Sequence, residues 1–265
     1  MIKYIFCINP GRSGSHYLAK LFSKAENCVA QHEPKPIMNS YAMIDFLNHD
    51  TKAMEALMPQ KMTSIQALKG EEAVYMEANH CFIKGFAWFL PQYIPQEEIG
   101  VIILKRNPDK VVNSYFSIDC TPFNNCGAGW LMKHNAKNVQ SYFPAQFSKI
   151  GYFFKSQFLR IQNYFNVRPK LLKRLSLGTI QKLGYPFFLK KIVKKSLEWY
   201  VEETYRQAEH YQKKFPNIHY QEVNIEDLNE EKAVKKLFAG FGLEAQKSLG
   251  EVLNRPTNLK VKEKK

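Results

Sequence analysis

The chain has 265 residues, 45 % of them apolar, which is enough to bury a core without disulfide or metal staples. No apolar run approaches the about 18 residues that a membrane-spanning helix needs. The five cysteines show neither CxxC spacing nor a neighbouring histidine ladder, which argues against a zinc site or a disulfide framework, and the net charge of +14 points to anionic partners.

Residues 3–8 (KYIFCI) are β-rich with little alternation, the pattern of a strand buried on both faces. They run into NPGRSGS, a turn, and then into a helix over 15–25 with Tyr17, Leu18, Leu21 and Phe22 on one side. A second strand is expected over 28–31, closed by HEPKP, with Cys7 and Cys28 both inside buried strands. Residues 38–70 read as helices and 73–77 as a third strand. The most apolar strand, GVIILK at 100–105, leads into RNPDKVVNSYFS, a turn and a helix with Pro108 in its first turn.

The middle, about 120–195, breaks this rhythm. From Cys120 to Leu197 there is no Asp or Glu but there are 14 Lys and Arg, interleaved with Phe and Tyr. Cys120 and Cys126 flank a loop there and are expected to stay reduced. A long amphipathic helix is expected over 190–214, with Val193, Leu197, Val201, Tyr205 and Ala208 on one face, then a strand over 218–223 and a helix over 230–240. Strands alternating with helices predict an α/β fold, a mostly parallel sheet covered by helices on both faces. The expectation is one domain over 1–265 with a variable insertion at about 120–195.

The turn between the first strand and helix has the makings of an anion site. A helix start offers unpaired N–H groups and the positive end of the dipole. Gly11 and Gly14 let the backbone come close to a ligand, Ser13 and Ser15 add hydroxyls, and Arg12 adds a guanidinium fork. The full GxxxxGK[ST] pattern of an ATP-hydrolysing loop is missing.

The segment GRSGSHYLAKLF resembles the 5′-phosphosulfate loop of sulfotransferases that use 3′-phosphoadenosine 5′-phosphosulfate (PAPS). Arg12-Ser13-Gly14-Ser15, followed by Glu33-Pro34, is similar to the carbohydrate members in particular. LKRNPDKVVNSYFS resembles the family's 3′-phosphate motif, with Arg106, Pro108 and Ser114 at its fixed positions. The likeness covers roughly residues 3–35 and 73–118, continues loosely over 196–258, and leaves out the basic middle; the family's C-terminal GxxGxxK loop is absent as such. It implies a P-loop-like sheet and PAPS as co-substrate, held by Arg12, Ser13, Gly14, Ser15, the backbone of His16, Arg106 and Ser114. No metal is implied.

By the same resemblance, Arg12 touches the oxygen that bridges sulfur and phosphorus, and Lys84 in CFIKGF is a second cation beside the sulfuryl group. The histidine of cytosolic members, two residues after that lysine, is replaced by Phe86. Two carboxylates are left as candidate base: Glu33, matching the Glu-Pro of carbohydrate members, and Glu77, matching the base of some glycosaminoglycan members. His32 and His80 neighbour these acids. The acceptor is expected to be a glycan, a glycolipid or another hydroxyl compound, in the cytoplasm, with the basic insertion peripheral to an anionic membrane face. Two other readings are a P-loop-type nucleotide kinase or NTPase without its lysine, and a basic nucleic-acid-binding protein. GVIILKRN lacks the Asp the first needs, and no module signature supports the second.

Overall fold

A computed structural model of the chain describes residues 1–118, 120–121, 127, 129–132 and 187–253. The insertion expected over about 120–195, its aromatic residues, Cys126 and the tail from 254 lie largely or wholly outside the described residues. Five strands build one all-parallel sheet: β1 (Tyr4–Ile8), β2 (Cys28–His32), β3 (Val74–Ala78), β4 (Ile99–Lys105) and β5 (His219–Asn224), in the order β2-β3-β1-β4-β5. Every strand lies within about a residue of its sequence-based position.

The burial of each strand follows from its place in that order. β1 is central, pairing with β3 through Tyr4↔Tyr75 and with β4 from Tyr4↔Ile99 to Ile8↔Ile103, and all five of its residues are buried. β2 and β5 are edges and only partly covered. Cys28 is therefore half-buried, not buried as the sequence suggested.

The pleat sends alternate residues to opposite faces. Ile5, Cys7, Met76, Ile102 and Leu104 face a core closed by α1 (Ser15–Phe22) and α6 (Glu231–Ala239) through Leu18, Leu21, Phe22, Val234 and Phe238. Phe6, Ile8, Tyr75, Val101 and Ile103 face a second core. That core is closed by α2 (Ser40–Leu47), α3 (Lys52–Lys69), α4 (Pro108–Ser117) and α5 (Phe187–Lys214). On α5 the face named from the sequence is inward: Val193, Leu197, Val201 and Ala208 are buried. Among the described residues no helix is long and apolar enough to cross a membrane.

The chain leaves β1 through α1 toward β2 on one side, and leaves β4 through α4 toward β5 on the other. β1 and β4 are neighbours whose connections part in opposite directions. In open parallel sheets the crevice beyond the carboxyl ends of such a strand pair is where ligands bind.

Candidate active site

A cleft of about 680 Å³ opens at that place. Gly11, Arg12, Gly14, Ser15 and His16 line it from the loop after β1, Glu33 from the end of β2, and His80 from beyond β3. Arg106 comes from the turn after β4, Lys110, Ser114 and Tyr115 come from α4, and Trp130 closes one wall.

The loop after β1 is shaped by its own side chains. Asn9, fully buried, accepts from the Gly11 amide at 2.9 Å and from the Ser13 hydroxyl at 3.1 Å. Gly11, Arg12 and Gly14 have φ of 79°, 54° and 94°, so three residues of the loop are left-handed. Left-handed residues in such a turn aim backbone N–H groups toward one concavity. Gly14 caps α1 without a side-chain bond, leaving the helix's first amides open to the cleft. A Cβ on Gly11 would collide with the Tyr115 hydroxyl, and one on Gly14 would meet Ile225.

The second motif converges on the first. Arg106 Nη1 donates to the Arg12 carbonyl at 2.6 Å, and Arg12 Nε donates to Ser114 Oγ at 3.0 Å. The Arg106 Nε is buried and has no hydrogen-bond partner. Such an orphan costs about 1–3 kcal/mol unless something else accepts from it. Residues 94 and 102 positions apart are thus joined in one basic corner.

Underneath, two phenols hold the loop. Tyr115 of α4 and Tyr200 of α5 each donate to the Pro10 carbonyl at 2.6 Å. Tyr200 also accepts from Lys84 Nζ at 2.9 Å, and the same ammonium donates to the Trp130 carbonyl at 2.5 Å.

At the other end of the cleft Glu33 follows β2 with φ 50°, a left-handed turn costing a non-glycine residue about 1 kcal/mol or more. The turn carries its carboxylate into the cleft, where Oε1 lies 2.5 Å from His80 Nδ1 and 4.0 Å from His32 Nε2. His32 Nε2 is also 3.1 Å from Ser15 Oγ, and its ring stacks on His16 at 4.9 Å. His80 in turn stacks on Trp130 at 5.2 Å. Burial pushes the Glu33 carboxyl up, but the His80 hydrogen bond, the neighbouring histidines and Lys84 outweigh it and leave it below its ordinary value. Burial and then Lys84 push His80 down to about 4, against the pull of Glu33, so the ring is neutral at pH 7.

The residues named from the sequence divide. Arg12, Gly14, Ser15, His16, Glu33, Arg106 and Ser114 share the cleft. Three do not line it. Ser13 is fully buried and spends its hydroxyl on Asn9, so it shapes the loop instead of meeting an anion. Lys84 is fully buried beneath the cleft floor on Trp130 and Tyr200, away from the direct contact expected of it. Glu77 is fully buried within β3, where it accepts from Lys61 at 2.7 Å, Tyr75 at 2.7 Å and Asn79 at 2.9 Å. Its oxygens are occupied by the core, so of the two candidate bases only Glu33 lines the cleft. His16 presents its ring to the cleft as well as its backbone.

Sequence reasoning missed Tyr115, Tyr200, Lys110 and Trp130. Tyr115 sits next to Ser114 in the motif and could have been picked out there; Tyr200, 190 residues from the carbonyl it binds, gave no local signal. Among the described residues no three His, Cys, Asp or Glu side chains are grouped to hold a metal ion. No family model, no curated protein and no solved structure matches the chain.

Proposed function

We propose that the chain is a PAPS-dependent sulfotransferase, with a P-loop-like anion loop at residues 9–15 and a glycan, glycolipid or other hydroxyl compound as acceptor. The observation that carries this reading is the joining of two anion motifs across the β1–β4 crevice, through Arg106 on the Arg12 carbonyl at 2.6 Å and Arg12 on Ser114 at 3.0 Å. A donor with phosphate groups at both ends of one nucleoside calls for two such sites in one cleft. The 5′-phosphosulfate fits the open amides at the start of α1, the Arg12 guanidinium and the Ser15 hydroxyl. The 3′-phosphate, with about two charges, fits Arg106, whose buried Nε lacks an acceptor, and Ser114.

The transfer follows from those placements. The acceptor oxygen attacks sulfur in line with the departing phosphate oxygen. As the new S–O bond forms and the old one breaks, the electron pair stays on the leaving nucleotide. Charge growing there is met by Arg12 and the loop amides. The proton of the acceptor hydroxyl passes to Glu33. The basic residues of the insertion support contact with an anionic acceptor or membrane face.

Calorimetry with 3′-phosphoadenosine 5′-phosphate (PAP) against ATP tests the donor. Tight binding of PAP with weak binding of ATP is expected; the reverse order would favour a nucleotide kinase or NTPase. Labelled sulfate transfer from PAPS to a panel of glycans, lipids and phenols then identifies the acceptor.

A further inference from the structure

Glu33 does not face the cleft alone. Its Oε1 is 2.5 Å from His80 Nδ1, and the histidine ring is clamped between two surfaces. One is the indole of Trp130, stacked at 5.2 Å and 23°. The other is the anion loop: a Cβ on Gly11 would lie 3.2 Å from His80 Cδ2. His80 is 8 % exposed, so its ring has little freedom to turn.

We propose that His80 is a positioning residue for sulfuryl transfer, its Nδ1–H holding the Glu33 carboxylate as proton acceptor. This deepens the sulfotransferase reading above and rests on it.

The tautomer follows from the partners. An ionised carboxylate only accepts, so Nδ1 carries the proton and donates it to Glu33. Nε2 is then bare and faces the Cys81 sulfur at 4.0 Å. Burial pushes the Cys81 thiol up to about 11, so it stays protonated and able to donate weakly to that nitrogen. Burial first, and then the charge of Lys84, whose Nζ is fully buried on two uncharged oxygens, oppose a cation on His80.

Neutrality matters for the chemistry. An imidazolium beside Glu33 would make an ion pair and drain the carboxylate's basicity. A neutral N–H fixes the orientation of Oε1 and leaves the other oxygen for the acceptor's proton. That proton goes to Glu33, while His80 keeps its own throughout. The groups facing Glu33 are His80 and, beneath it, Lys84 from the segment after β3, and His32 from β2 with His16 of α1 stacked behind it.

The test separates holding a carboxylate from filling space. His80→Asn keeps a side-chain N–H near the Nδ1 position and loses the ring; His80→Phe keeps the ring against Trp130 and loses the donor. We expect transfer from PAPS, or slow PAPS hydrolysis with water as acceptor, to fall about 100-fold in His80→Phe. His80→Asn should retain most of the rate. The acid limb of the pH–rate profile should move to higher pH in His80→Phe, because burial then acts on Glu33 without its donor. Long-range proton–nitrogen NMR on the wild-type protein should show His80 neutral and protonated on Nδ1 at pH 7.

The opposite order of the two variants, an unmoved acid limb, or a cationic His80 at pH 7 would each overturn the role given to His80, whatever PAP binding shows. Absence of PAP binding with His80 in the expected tautomer would overturn the sulfotransferase reading, and the catalytic part of this inference with it.

Discussion

Arg106 Nη1 donates to the main-chain carbonyl of Arg12 at 2.6 Å, so the guanidinium after β4 braces the loop after β1. That leaves the buried Nε without an acceptor. A charged donor of this kind contributes about 1.5–3 kcal/mol when a phosphate oxygen reaches it. Arg106→Ala should therefore weaken PAP roughly 10- to 100-fold by calorimetry. The analogue without the 3′-phosphate should lose far less. Equal losses for both ligands would assign Arg106 to bracing the loop alone.

Gly11 is the residue on which the loop's shape depends most. Its φ is 79°, and a methyl there would strike the Tyr115 hydroxyl that holds the Pro10 carbonyl. Gly11→Ala should cost about 1–3 kcal/mol of stability from backbone strain. It should also weaken nucleotide binding, because the amides no longer share one concavity. Gly242 is a control, with φ of 73° but open space around it. Gly242→Ala should lose stability through strain and leave nucleotide binding unchanged. Urea denaturation and calorimetry on the two variants separate the effects.

The elements were legible where one physical signal dominated. The apolar run 4–8 lies buried on both faces of β1, and GVIILK is β4 beside it. Edge position is not written locally, so Cys28 read as buried although β2 has a partner on one side only. Residues marked by backbone-proximal motifs, such as Gly14, Arg106 and Ser114, line the cleft because spacing along a strand–turn–helix fixes where they point. Ser13 turns from the cleft to the nearby Asn9, and Glu77 and Lys84 lie away from it because they are held by partners distant in sequence. Lys84 meets Tyr200 across 116 positions and Glu77 meets Lys61 across 16, and neither pairing leaves a periodic trace.

Glu77 and Lys61 make a buried ion pair at 2.7 Å, both side chains fully enclosed. Removing one partner strands a charge in the core, which costs about 3–5 kcal/mol. Glu77→Gln should thus lower the unfolding midpoint sharply, while Glu33→Gln should lower it far less and abolish transfer. Replacing both members, Lys61→Met with Glu77→Gln, should recover much of the loss. If Glu77→Gln instead folds normally and loses transfer, Glu77 is the base and Glu33 is not.

Acid should destabilise the fold through His80. Burial, then Lys84, lowers its pKa from the ordinary 6.5 to about 4. Between those values the unfolded chain binds more protons than the folded one, so falling pH favours unfolding. The stabilisation is fully present above pH 6.5 and is lost as pH falls toward about 4. Glu33 acts in the same direction, since its pKa is also held down in the fold. The slope for one proton is about 1.4 kcal/mol per pH unit. His80→Phe removes that proton, so its stability between pH 6.5 and 4 should fall less steeply than that of the wild type, by up to this amount. Urea midpoints measured across that range decide it, and parallel slopes for the two proteins would mean that His80 titrates normally in the fold.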